Sequence, residues 1–270
     1  MHPTHPTQLS ITMFYGPKPD ALQTLIQGCQ QQLTALLGDD FLPYDLLQTH
    51  ATLISLERGP GAAADSGGLP PKLLNRFFHE LRGEQREMDL DGVLAYLRGG
   101  VGEAARTAFR VQLGGWQCSD TQDAPFLSQG QTPYMRSFSI QGDKLVLMGW
   151  PIEDADRYPN MLHALRQGCA RFNLLHKYFR APGDVDNDFY MRLGLLRAPL
   201  SAPLTDERRQ QAEDALRKYL ASRPPLLLDV TPADLHMVAY VDEPLSYANA
   251  LHWPLTDEQL NADFLAGLYG

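Results

Sequence analysis

The sequence predicts an α+β fold arranged as one domain with two lobes. A strand–helix–strand pattern occupies the first quarter of the chain and recurs near its C-terminal end. Hairpin strands lie between the two, not the regular alternation that builds a doubly wound parallel sheet. No low-complexity linker splits the chain, and 44% of its 270 residues are hydrophobic, enough to fill a core of that size.

Residues 1–8, polar and proline-containing, are expected to form a flexible leader, with the domain proper over 9–270. "LSITMFYG" (9–16) is rich in β-branched and aromatic residues and stops at Gly16-Pro17, the mark of a strand. A helix follows, with apolar residues at Leu22, Leu25, Ile26, Cys29, Leu33, Leu36 and Leu37 and a stop at Gly38. Residues 45–57 read as a second strand. The Gly/Ala/Pro-rich run at 59–72 reads as a loop, and residues 72–98 as helix in two pieces.

A strand is predicted over 106–117 and a hairpin over 135–152 with Gly142-Asp143 at its turn. Apolar residues at Met161, Leu165, Cys169, Phe172, Leu175 and Phe179 predict one helix over 158–180. A strand over 188–196 and a helix from Thr205 to Ser222, ended by Pro224-Pro225, come next. The last strands fall within 226–245, and a short acidic helix within 255–268.

Charge and composition exclude several classes of function. Lys and Arg number 23 against 32 Asp and Glu, a net charge of −9. Gripping duplex DNA takes a broad basic surface, so the expected partner is a small substrate or only the end of a strand. No apolar run approaches the roughly 20 residues of a membrane span, and the first residues lack the basic start and apolar centre of a secretory signal. Cys29, Cys118 and Cys169 are too few and too scattered for a disulfide scaffold or a thiolate zinc site. A cytoplasmic chain with neither membrane nor cofactor is expected.

Most motif-like stretches carry no chemistry. "GGVGEAA" (99–105) follows a helical stretch, not the strand a dinucleotide-binding turn needs, and reads as a loop. "DVDND" (184–188) opens like a calcium loop but lacks the later Gly and Glu, and reads as a polar turn. His163, Cys169 and His176 read as satisfied side chains of a buried helix, with Cys169 and His176 on one face.

The His-x-Thr tripeptide stands above background. Eight histidines should yield about one match by accident, and the chain has three. Those at His2 and His5 lie beside prolines in the leader. The third, His50-Ala51-Thr52, lies in an apolar strand, where the period of two sets His50 and Thr52 on one face and Ala51 and Leu53 on the other. In "DLHMVAYVDEP" the same period puts His236, Val238 and Tyr240 on one face, with Met237, Ala239 and Val241 inward.

On these residues the chain resembles the two-histidine (2H) phosphoesterase superfamily, which includes RNA 2′,3′-cyclic phosphodiesterases and 2′-5′ RNA ligases. The family pattern is a pair of His-x-Thr/Ser-hydrophobic tetrapeptides, one per lobe. "HATL" (50–53) matches in full; "HMVA" (236–239) carries Val238 where Thr or Ser is expected. The resemblance implies pseudo-symmetric antiparallel sheets with flanking helices around a central cleft, with an insertion around 59–105. It also implies a metal-independent cyclic phosphodiesterase acting on a nucleotide or RNA-end phosphodiester, with His50 and His236 as general acid and base. Histidine titrates near neutrality and takes either role, and Thr52 would hold a non-bridging oxygen. Tyr240, two residues past Val238, is the expected substitute for the lost hydroxyl, and Arg58 and Arg136 are candidate phosphate partners. Tyr15 and Tyr134 are candidate base-stacking residues. The degenerate second motif leaves two alternatives open: a nucleotide-binding sensor with little or no turnover, and a non-catalytic interaction protein.

Overall fold

The computed structural model of the chain describes residues 7–58, 73–84, 86–99, 108–120, 131–154, 157–176, 184–198 and 204–269. The expected strands form, all paired antiparallel. They are β1 (Gln8–Met13), β3 (Ala51–Ser55), β4 (Phe109–Leu113), β5 (Phe138–Gln141), β6 (Lys144–Pro151), β7 (Phe189–Leu196), β8 (Leu226–Val230) and β9 (Leu235–Tyr240). Two short strands not expected from the sequence complete the sheet, β2 (Phe41–Pro43) and β10 (Leu251–Pro254). The hydrogen-bonded order is β10-β9-β1-β3-β7-β6-β4-β8, with β2 on β7 and β5 on β6. The fold is therefore α+β around one large antiparallel sheet.

The sheet has two parts joined at a narrow seam. β1 runs between β9 and β3, and β7 pairs along its length with β6. Between the parts, β3 meets β7 through the register pair Ala51 and Met191. Farther along the same edge of β7 lies β2, with Pro43 opposite Gly194. A Cβ at Gly194 would stand 2.3 Å from the Leu42 carbonyl oxygen, so this close crossing needs glycine.

Most of the helices pack against the main core. α1 (Asp20–Leu37) buries Leu22, Leu25, Ile26, Cys29, Leu33 and Leu37, the predicted stripe except for Leu36, which is 41% exposed. The stretch read as helix in two pieces forms α2 (Arg76–Arg82) and α3 (Leu90–Leu97), capped by the side chains of Asn75 and Asp89. A short α4 (Pro133–Arg136) precedes the hairpin β5–β6 and takes up its expected start. Thr205 caps α6 (Asp206–Ala221) as its position predicts, and α7 (Ala262–Leu268) is the expected tail helix. Among the described residues no helix is long and apolar enough to cross a membrane.

Three expectations change. The strand expected over 45–57 narrows to β3, because Asp45 turns the chain. Its carbonyl accepts from the N–H groups of Gln48 and Thr49, and its Oδ1 from that of Leu47. The helix expected over 158–180 is α5 (Met161–Cys169) with one further 3-10 turn, ended by Asn173 in the left-handed region (φ 59°). His176 therefore lies beyond the helix end, in a segment without regular secondary structure, not on a helix face with Cys169. The strands expected within 226–245 end at Tyr240, which leaves Val241 exposed instead of inward. The loop expected at 59–72 lies outside the described residues, as do 100–105 of the loop expected at 99–105 and residues 1–6 of the leader, and Gln8 already belongs to β1.

Alternation divides the sheet into two unlike faces. Leu9, Ile11 and Met13 of β1, Met191 and Leu193 of β7, and Met237 of β9 point into the main core beneath the helices. The opposite face carries two smaller apolar clusters. One gathers Trp116, Val146, Met148, Trp150, Ile152 and Tyr158; the other, Tyr15, Val238, Tyr240 and Leu245. A polar cavity opens between them.

Candidate active site

The cavity, about 930 Å³, is lined by residues of both parts of the sheet, among them Ser10, His50, Thr52, Tyr190, Arg192 and Tyr240. Its volume is that of a small-ligand site. His50 is half-buried immediately before β3, and the Asp45 turn sets its ring. Its Nδ1 lies 2.6 Å from the Gln48 carbonyl oxygen. A carbonyl only accepts, so Nδ1 carries the ring proton and Nε2 is the basic nitrogen. Burial, aided by the charges of Arg192 and Lys18, lowers the His50 pKa to about 4. At neutral pH the imidazole is uncharged and basic at Nε2.

A β-bulge shapes the neighbouring wall. The pairing of β1 with β3 shifts register between Ile11 and Thr12, leaving Leu53 without an opposite residue. The guanidinium of Arg166, 3% exposed on α5, takes up the carbonyls at the irregularity. Its Nη2 donates to Thr52 O at 2.8 Å and its Nε to Leu53 O at 2.9 Å. Its Nη1 donates to Asp186 O, Asp186 Oδ1 and Asp188 O. Asp186 also holds His176 through Nδ1. Burial alone would raise the Asp186 pKa, but Arg166 and His176 hold it well below the usual carboxylate range. "DVDND" is thus a polar turn in which the Asp186 and Asp188 carboxylates are committed to side chains of this chain.

The structure distributes the other predicted residues unevenly. Tyr240 lines the cavity; its hydroxyl lies 3.3 Å from Ser10 Oγ and donates to Glu57 Oε1. Arg136 also lines it, but is buried in an ion pair with Asp188 over the Trp150 ring, not solvated on the surface. Arg58 is not brought to the cavity lining. It lies over the Tyr269 ring and donates to the Tyr269 carbonyl. Tyr134 packs against the tryptophan cluster.

His236 is not among the cavity-lining residues either. It stands opposite Thr12 on β9, and ring contacts connect it to His50 through two intermediaries. His236 touches His252 at 5.8 Å, His252 touches Tyr15 at 5.3 Å, and Tyr15 touches His50 at 5.5 Å between ring centroids. The Tyr15 hydroxyl donates to the Leu245 carbonyl, and with Leu245 and Tyr247 this ring covers Val238. Among the described residues the buried Nδ1 of His252 has no hydrogen-bond partner. Burial, with His252 nearby, lowers the His236 pKa.

Two site features escaped the sequence reading. Arg192 sits two residues from Tyr190 on β7, and the alternation of "DFYMRLGLL" places both on the cavity face; one arginine in an apolar strand was the available signal. It pairs with the exposed Glu243 at 3.2 Å. The cluster of Arg166, Asp186 and His176 depends on the break at Asn173, which apolar spacing does not reveal. Among the described residues no group of three His, Cys, Asp or Glu side chains is placed to hold a metal ion.

No protein-family model matches the chain, and no curated protein does. Among solved structures it is similar to TT0787 of Thermus thermophilus, at 16% identity over 91% of this chain and 93% of that one (TM-score 0.40). It is similar to ATU0111, a conserved protein of unknown function from Agrobacterium tumefaciens, at 13% identity over 83% and 81% (TM-score 0.40). It is also similar to E. coli LigT, solved with NADP+, at 15% identity over 93% and 95% (TM-score 0.36).

Proposed function

We propose that the chain is a phosphodiesterase that opens a 2′,3′-cyclic phosphate on a nucleotide or RNA end, with His50 as general base. The observation that carries this reading is the fixed tautomer of His50: Nδ1 is held by Gln48, so Nε2 is the basic nitrogen of a ring that lines the cavity. Thr52, one pleat along, and Arg192 supply a hydroxyl and a cation for non-bridging phosphate oxygens, where charge must be held. Tyr240 and Arg136 complete the substrate wall. Water loses its proton to His50 Nε2 as its oxygen bonds phosphorus, and the bond from phosphorus to the ribose oxygen breaks as a general acid protonates that oxygen.

The test is hydrolysis of a panel of 2′,3′-cyclic nucleotides and 2′-5′ linkages by chelator-treated protein, followed across pH. The base works only when neutral, and its pKa lies near 4. The acid limb of kcat/KM is therefore expected to bend near pH 4, falling about tenfold per unit below it. A limb bending near 6.5, the value of an ordinary histidine, or no hydrolysis of any panel member, contradicts the reading.

One observation favours a second reading, a sensor that binds the nucleotide without turnover. Val238 is fully buried beneath Tyr15 and Leu245, so the second tetrapeptide offers no hydroxyl to the cavity. Calorimetry that finds stoichiometric binding, with intact ligand recovered afterwards, would select it.

A further inference from the structure

The cavity holds a second imidazole that the resemblance does not point to. His176 lines it together with His50 and Thr52, and it is the more constrained of the two. Its Nδ1 meets Asp186 Oδ2, an acceptor, so Nδ1 carries a proton and Nε2 is the nitrogen through which the ring exchanges one. A carboxylate behind an imidazole fixes ring orientation and stabilises the imidazolium, the form that donates.

The same network ties His176 to the His50 strand. Arg166 Nη1 bonds Asp186 Oδ1 at 3.0 Å while Nη2 bonds the Thr52 carbonyl at 2.8 Å, two residues from His50. One buried guanidinium thus sets the distance between the strand that carries the base and the carboxylate that aims the second ring. His236, by contrast, communicates with His50 through Tyr15 and His252.

We propose that His176, oriented by Asp186, is the general acid that protonates the leaving oxygen opposite His50. This rests on the reading of His50 as base. In the step, a water proton passes to His50 Nε2 and the water oxygen bonds phosphorus. The bond from phosphorus to the ribose oxygen breaks, and that oxygen takes the proton from His176 Nε2. Both imidazoles return to their starting states by proton exchange with solvent. Asp186 is a positioning residue.

Leaving-group dependence tests this directly. A ribose alkoxide needs a proton to depart, whereas p-nitrophenolate leaves without one. His176→Asn, whose amide can still donate to Asp186, is expected to lose about 100-fold or more in kcat on a 2′,3′-cyclic nucleotide. On a p-nitrophenyl nucleoside phosphodiester it should lose less than about 5-fold, well below what removal of a general acid costs. Asp186→Asn should show the same selectivity with a smaller loss, and His50→Asn should lose both activities. Equal losses on both substrates, with a lowered Tm, would mark His176 as structural and overturn the proposal. So would unchanged rates on both, or the selective loss appearing in His236→Asn in place of His176→Asn. Wild-type protein that turns over neither substrate would remove the base assignment and the acid assignment together.

Discussion

His50→Asn is expected to lower kcat/KM on a 2′,3′-cyclic nucleotide by about 10²–10⁴-fold, the usual range for removing a general base, while leaving the fold in place. The asparagine amide occupies the position of Nδ1 and can still donate to the Gln48 carbonyl, which His50 meets at 2.6 Å. What disappears is the basic Nε2. Because neutral imidazole is the resting form, removing it changes no charge in the cavity at pH 7, and substrate affinity should change far less than rate. Steady-state kinetics with a parallel thermal melt checks this. A variant with wild-type kcat would show that the rate does not depend on this nitrogen.

Arg166→Met is expected to cost about 3–5 kcal/mol of stability, the range found when one partner of a buried ion pair is removed. The side chain is 3% exposed and serves Thr52 O, Leu53 O, Asp186 and Asp188 O together. Methionine fills much of the space but leaves the Asp186 carboxylate buried without a guanidinium, beside His176 and His163, and the bulge carbonyls unmet. Adding Asp186→Asn removes the stranded charge, so the double variant should be more stable than Arg166→Met. The pH dependence has a definite sign. Asp186 is held below its ordinary range, so its contribution is present above about pH 4, its unfolded pKa, and is lost as pH falls through the folded value. Denaturant titrations of the wild type and both variants measure these differences. A loss below about 1 kcal/mol for Arg166→Met, no more than an exposed pair is worth, would mean that the network does not hold the cavity wall.

Local pattern and long-range packing account for different parts of this molecule. The period of two in "HATL" and in "DFYMRLGLL" put His50, Thr52, Tyr190 and Arg192 toward one face, because strand geometry is a local property. The turn at Gly142-Asp143 and the cap at Thr205 were equally local. The burial of Val238 was not. It arises where Tyr15, near the start of the chain, meets Leu245, near its end, and spacing within β9 carries no trace of that contact. His176 leaves the expected helix for a related reason. Apolar residues continue at helical spacing past Cys169, yet Asn173 turns the chain into the left-handed region, and the segment is held instead by the Leu175 N–H on Asn75 and by Asp186. The ion pairs around the cavity join residues far apart in sequence, such as Arg136 with Asp188. They make Arg136, a candidate phosphate partner on its sequence position, a buried structural cation.

Nitrogen-15 NMR of the imidazoles, followed by pH titration, measures without reference to any substrate whether His50 is a neutral base with its proton on Nδ1. The structure predicts the Nδ1–H tautomer for His50, persisting on acidification until it titrates near pH 4. A proton on Nε2, or titration near 6.5 like a solvent-exposed histidine, would contradict it.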